Sequence, residues 1–190
     1  KKYGKSHVML QDAKSMLAIV YHRQGKSELA IPLGEEVVAF RQKTLGDRHP
    51  DTMLALNNLG SYCRNARQLQ RALVHYEKLM ELLSGRQPQP NTNEFAYVSN
   101  YIDILEMLRR HSDAEPLRKQ RLVQLKALTG AQNIYLVQLY MLSNNLLDQK
   151  KYAEGGEVIR ECIQLSEENK TKPPANRKWD KQMYHSSLGK

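Results

Sequence analysis

The stretch Leu59-Gly60-Ser61-Tyr62-Cys63-Arg64-Asn65-Ala66-Arg67-Gln68-Leu69-Gln70-Arg71-Ala72-Leu73-Val74-His75-Tyr76-Glu77-Lys78-Leu79 decides the fold. Leu59, Tyr62 and Cys63 sit at helical spacing, and so do Leu69, Ala72, Leu73, Tyr76 and Leu79, with a polar break between the two runs. One helix followed by a short break and a second helix is a helical hairpin. Small residues mark both arms, Gly60 on the first and Ala72 on the second, which lets two helices approach closely.

Outward from this stretch the pattern repeats with a step of 42 residues, since Gly46 and His49 follow Gly4 and His7 by that interval. The same offsets continue to Pro88 and Asn91 and then to Gly130 and Asn133, while Leu17, Leu59 and Tyr101 form a second series. Ala30, Ala72 and Ala114 each stand 13 residues after a member of that series. A fourth copy is one residue short of register at Leu142 and Gly155, because Gln149-Lys150-Lys151-Tyr152-Ala153-Glu154-Gly155 mirrors Gln24-Gly25-Lys26-Ser27-Glu28-Leu29-Ala30. A fixed period of this length dictates architecture more firmly than local propensity, and stacked hairpins form a solenoid. The fold class expected is therefore all-α, a right-handed superhelical solenoid of four hairpins over residues 1–168. The polar segment 169–190, with Trp179, Met183 and Leu188 at helical intervals, is expected to be a linker and C-terminal capping helix.

Local signals refine this outline. Pro32 and Pro116 are expected early in the second helices, where a missing N–H costs little, and support helix starts near Gly25 and His111. The linkers rich in Gly, Pro and Asn end at Asp51 and Thr92, both good N-cap types. The turn glycine survives only as Gly25, the corresponding residues being Arg67, Arg109 and Lys150. Arg118 and Arg121 replace the apolar Tyr76 and Leu79 of the second copy, so their stems are expected along the helix seam with the guanidinium groups in water, or at a contact surface.

Composition narrows the function. The 190 residues are 41% apolar and 26% charged, within the globular range, and ten tyrosines beside two Phe and one Trp argue against an all-β fold. No run of eighteen uncharged apolar residues offers a membrane span, and no signal-peptide pattern opens the chain, which starts at Lys1 as a fragment of a longer protein would. Cys63 and Cys162 fall on apolar helix faces, which fits a reducing compartment and core packing. The six histidines have no ligand-spaced partners, so no metal or other cofactor is expected. Without a phosphate loop or a nucleophile and base constellation, an enzyme is not expected. The net charge of +9 admits nucleic acid as a weak alternative partner, but the basic residues gather at the two ends and form no aromatic-interleaved stripe.

Leu59, Gly60, Leu69, Ala72, Tyr76 and Leu79 follow the tetratricopeptide arrangement, and Lys43-Thr44-Leu45-Gly46-Asp47-Arg48-His49-Pro50-Asp51-Thr52 leading into Leu56-Asn57-Asn58-Leu59-Gly60 resembles the long repeats of kinesin light chains. That resemblance implies a non-enzymatic adaptor of the cytoplasm, with cytoskeletal association, whose concave groove captures an extended peptide.

Counted from the repeated Leu, the groove positions are Met16, Ile19, His22 and Arg23 in the first copy and Asn58, Ser61, Arg64 and Asn65 in the second. The third copy gives Asn100, Asp103, Glu106 and Met107, and the fourth Met141, Asn144, Leu147 and Asp148. An Asn amide offers a donor and an acceptor to a peptide backbone, and Arg can hold a carboxylate in bidentate fashion. Arg23, Asn58, Arg64, Asn65 and Asn100 are thus the candidate peptide-binding residues. Asn58 and Asn100 match the second Asn of the light-chain motif, and the resemblance implies that they clamp the backbone of an acidic ligand with an aromatic anchor. The carboxylate clamp of chaperone-binding tetratricopeptide domains is not reproduced at Ser15, Ile19, Asn58, Ala96 and Asn100. A rival reading is a structural scaffold that uses Arg118, Arg121 and the C-terminal helix to join a larger assembly.

Overall fold

The computed structural model describes residues 5–168 apart from 87, 89–91, 127 and 129–131. Among the described residues every regular element is a helix: α1 (Lys5–Arg23), α2 (Ser27–Leu45), α3 (Pro50–Asn65), α4 (Leu69–Leu82), α5 (Asn93–Met107), α6 (His111–Lys126), α7 (Gln132–Asp148) and α8 (Tyr152–Glu168). The all-α class expected from the 42-residue step is what forms, with helix breaks where the repeat placed them. The segment 169–190, and with it the expected capping helix, lies outside the described residues. The chain divides into two compact units, Lys1–Leu108 and Arg109–Lys190. The first holds α1 to α5 and the second α6 to α8.

The turns within hairpins keep one geometry although only one has glycine. Gly25, Arg67, Arg109 and Lys150 have φ of 76°, 61°, 63° and 61°, all in the left-handed region. At three of them the backbone closes a Schellman motif, for example Lys26 N–H to Tyr21 O and Gln68 N–H to Cys63 O, each at 2.9 Å. A non-glycine residue there costs about 1 kcal/mol, which the hydrogen bonds and the packing of the two helices offset. Losing glycine therefore did not lose the turn.

In the first unit, Tyr76, Ala72, Leu79 and Cys63 are wholly buried. The room left by the missing side chain at Gly60 is taken by the Tyr76 ring, whose Cζ would lie 2.8 Å from a Cβ at that position. Gly34 of α2 serves the next junction, receiving Leu59 and Tyr62 of α3 at 3.2 Å from its would-be Cβ. Burial pushes the Cys63 thiol up, as suits a core cysteine.

Three local expectations need correction. The N-cap of α3 is His49, whose Nδ1 accepts from Asp51 N–H at 3.2 Å; Asp51 lies one residue inside the helix start. Pro50 takes the first helical position, where its fixed φ suits the helix, so the cap moves back by two residues, from Asp51 to His49. Thr92 does cap α5 as expected, its Oγ1 accepting from Phe95 N–H at 3.4 Å. Pro32 and Pro116 stand inside α2 and α6, beyond the unpaired first turn, so Glu28 and Ser112 lack the donor that an ordinary residue would supply. Arg118 and Arg121 are buried, at 3% and 5% exposure, and their guanidinium groups do not reach water. Arg118 Nη1 donates to Gln138 Oε1 at 3.3 Å, which removes this residue from any exposed docking surface.

The second unit packs Leu122, Leu139, Leu142, Leu146, Ile159 and Cys162 into one core. Above it the buried Glu115 carboxylate accepts from Lys119 at 2.6 Å, Lys151 at 2.7 Å and Gln149 at 2.9 Å. The bonds from Lys119 and then Lys151 hold its carboxyl down to about 2, against the cost of burial. Because the folded value lies below the unfolded one, this cluster stabilises fully above about pH 5 and loses its contribution as pH falls toward 2. Glu115→Gln is expected to lower stability by about 1–3 kcal/mol at pH 7, the range for hydrogen bonds to a charged group. In melts run from pH 7 down to pH 3, the gap between variant and parent should narrow below about pH 5.

Candidate functional site

In the first unit α1, α3 and α5 are the first helices of their hairpins, and the candidate groove positions on them stay at least partly open to solvent. Helical periodicity explains this, since the buried face of α3 is taken by Met53, Leu56, Leu59, Gly60 and Cys63. Arg64 and Asn57, seven residues apart, share the remaining face.

Arg64 is the centre of the arrangement. Its Nη1 stands 3.5 Å from Asn100 Oδ1 and 3.6 Å from Asp103 Oδ2, on α5. The ion pair is loose, and the two side chains are 25% and 44% exposed, so it contributes well under about 1 kcal/mol. Asn100 Nδ2 donates to Asn57 Oδ1 at 2.8 Å, a firm bond across α3 and α5. On the other side His22 of α1 hydrogen-bonds Ser27 Oγ at 3.0 Å, and its ring lies 5.0 Å from that of Tyr62. Burial, and then the Arg64 charge, push the His22 imidazole below its ordinary value, so it is neutral at pH 7 and Arg64 is the cation here.

The five candidates are placed differently. Arg64 and Asn100 meet directly, and Asn58 is half-buried on α3 with no side-chain partner among the described residues. Arg23 and Asn65 are exposed at the last residues of α1 and α3, with no hydrogen bond to the Arg64 cluster among the described residues. Asn57 was not among the sequence candidates, although its seven-residue spacing to Arg64 is the signal that places both on one face. Chemically, the cluster offers one loosely held guanidinium, a neutral imidazole and amide groups with spare donors and acceptors.

In the second unit Asn144 and Asp148 are exposed on α7, and Asp148 Oδ2 lies 3.6 Å from His111 Nε2. Among the described residues no helix is long and apolar enough to cross a membrane.

The tetratricopeptide repeat family model matches residues 10–84. The clustered mitochondria protein homolog of Aspergillus terreus is 25% identical over 158 residues, 82% of this chain and 12% of that protein, and its Aspergillus niger counterpart is 24% identical. The chain thus spans about an eighth of the length of these curated relatives. Among solved structures, the kinesin light chain-type TPR-like repeats of Podosopora anserina superpose with a TM-score of 0.75 at 18% identity, covering 93% of this chain and 82% of that one. BtubC of P. vanneervenii superposes with a TM-score of 0.72 at 14% identity, covering 90% of this chain and 68% of that one. Stacked helical hairpins of this kind form an interaction scaffold for other proteins. Residues 10–84 thus match the tetratricopeptide repeat family, and the eight helices among the described residues, at a 42-residue step, share the fold of kinesin light chain-type repeats.

Proposed function

We propose that the face of α1, α3 and α5 binds an extended acidic peptide with one aromatic anchor, making the chain a non-enzymatic adaptor. The observation that carries this reading is Arg64, a half-open guanidinium whose nearest carboxylate is 3.6 Å away and itself 44% exposed. A ligand carboxylate can displace Asp103 at little cost and gain bidentate bonds to Arg64. Asn58 then supplies a donor and an acceptor to the ligand backbone, Asn100 presents its carbonyl beside Arg64, and Arg23 and Asn65 extend the contact. The same reading has the adaptor act in the cytoplasm, with the kinesin light chain likeness supporting a cytoskeletal association.

The test is a fluorescence-anisotropy titration with a labelled acidic peptide carrying one Trp, a Trp-to-Ala control and a short oligonucleotide, each at two salt concentrations. Saturable binding of the first peptide, at least about tenfold tighter than the control, is expected from the aromatic anchor. Preferred binding of the oligonucleotide, falling steeply with salt, would replace this reading with nucleic-acid binding. A second reading is a structural scaffold subunit held in a larger assembly by its outer face and ends. Absence of binding to every probe would move that reading ahead.

A further inference from the structure

The outward side of α1 is apolar and bare. Met9, Leu10, Met16, Leu17 and Val20 are all more than 40% exposed, and Leu10, Ala13, Leu17 and Val20 fall at i, i+3, i+7 and i+10, a single stripe. Surface leucines and valines scattered singly need no explanation, but a stripe of this kind does.

The internal repeat shows what such a stripe is for. One step of 42 residues carries Leu10, Ala13, Leu17 and Val20 onto Thr52, Ala55, Leu59 and Tyr62 of α3. These are 0%, 5%, 1% and 3% exposed, whereas Leu10, Leu17 and Val20 are 49%, 42% and 47% exposed. The difference has a visible cause, because α2 precedes α3 and seats Leu59 and Tyr62 against Gly34. The opposite side of α1 behaves as its counterpart in α3 does, with Ala18 buried like Gly60. Only the side that a preceding second helix would cover is left open.

A second observation points to the occupant. Gly4 and His7 repeat Gly46 and His49, the residues of the linker that joins α2 to α3, so the sequence carries linker-type residues in the same register before the apolar stripe. In the structure α1 begins at Lys5 and the His7 ring packs against Phe40, with centroids 5.4 Å apart, so the resemblance to that linker is one of sequence.

We propose that this face of α1 is a stacking surface for the second helix of a further 42-residue hairpin in the same polypeptide. The cognate helix has the chemistry of α2: amphipathic, with a glycine or alanine where Gly34 stands and aliphatic residues around it. The scaffold is thereby open to extension at this end by its own repeat, and the face that looks like a docking site for a foreign protein is an intramolecular junction.

The proposal is tested by tandem duplication of residues 8–49, which places a copy of α2 and its linker ahead of the original α1. Leu17→Cys is introduced either in the original position or in the new outer copy, and maleimide labelling rates are measured; the native Cys63 and Cys162 are buried and serve as a slow background. Labelling in the original position is expected to slow by more than about tenfold relative to the unduplicated chain, while the outer copy labels fast. Met9→Cys, whose counterpart Asp51 is exposed, should label at the same rate in both chains. Equal, fast labelling at both Leu17 sites overturns the proposal, whether the insert docks elsewhere or stays unfolded. Labelling of the unduplicated chain that slows with rising protein concentration also overturns it, since a second copy then covers the face.

Discussion

Tyr76→Ala is expected to cost the first unit about 3–5 kcal/mol, enough to unfold it or leave it marginal. The ring is wholly buried and fills the space over Gly60, between α3 and α4. Removing it leaves a cavity between the two helices. The same junction can be approached from the other side. Gly60→Ala gains about 1 kcal/mol in helix propensity, yet its Cβ would sit 2.8–3.1 Å from three ring atoms of Tyr76. That ring cannot swing into solvent, so overpacking of about 1–3 kcal/mol wins and the net change is destabilising. Tyr76→Phe is the control. The Tyr76 hydroxyl is buried with no hydrogen-bond partner among the described residues, so its removal should change stability by less than about 1 kcal/mol. Chemical denaturation of the three variants reads all of this. If Gly60→Ala proves more stable than the parent, the close approach at Gly60 is not what fixes this hairpin.

Arg64→Glu is expected to weaken binding of the acidic peptide by about 100-fold, or about 2.8 kcal/mol. The reversed charge would face the ligand carboxylates beside Asp103, where two like charges already repel a third. Stability should fall by less than about 1 kcal/mol, because the ion pair it breaks is long and half exposed. His22 gives a second readout. Its imidazole is pushed down by burial and then by the Arg64 charge, so the variant should raise its titration midpoint in NMR. Loss of peptide binding together with a raised His22 midpoint in a folded protein assigns the effect to this site. Unchanged affinity in Arg64→Glu would remove Arg64 from the ligand's path.

The 42-residue step made the helix order and most helix boundaries legible, because a repeated apolar period is a stronger signal than any one segment. The positions of Arg64 and Asn100 on one open face also followed from counting along that period. What was not legible depends on atoms that meet in three dimensions. Asn57 and Asn58 are identical in type and adjacent, and only the bond to Asn100 tells them apart. The move of the cap from Asp51 to His49 turns on Pro50 occupying the first helical position. Arg118 and Arg121 broke the apolar pattern, and the pattern alone does not say whether such a conflict ends in water or in the interior; both are buried. The bare stripe on α1 was invisible for a different reason. Its residues read as an ordinary core face, and only their exposure shows that nothing in the described chain covers them.

The most direct test of the central claim is NMR mapping of the acidic, Trp-containing peptide on the folded protein, following the side-chain amides of Asn57, Asn58, Asn65 and Asn100 and the guanidinium signal of Arg64. Binding on the face of α1, α3 and α5 predicts that the Asn58, Asn100 and Arg64 signals shift together and saturate at the concentration seen by anisotropy. Saturable binding that leaves those three unmoved, with shifts confined to the bare stripe of α1 or to the outer side of α4, would contradict it.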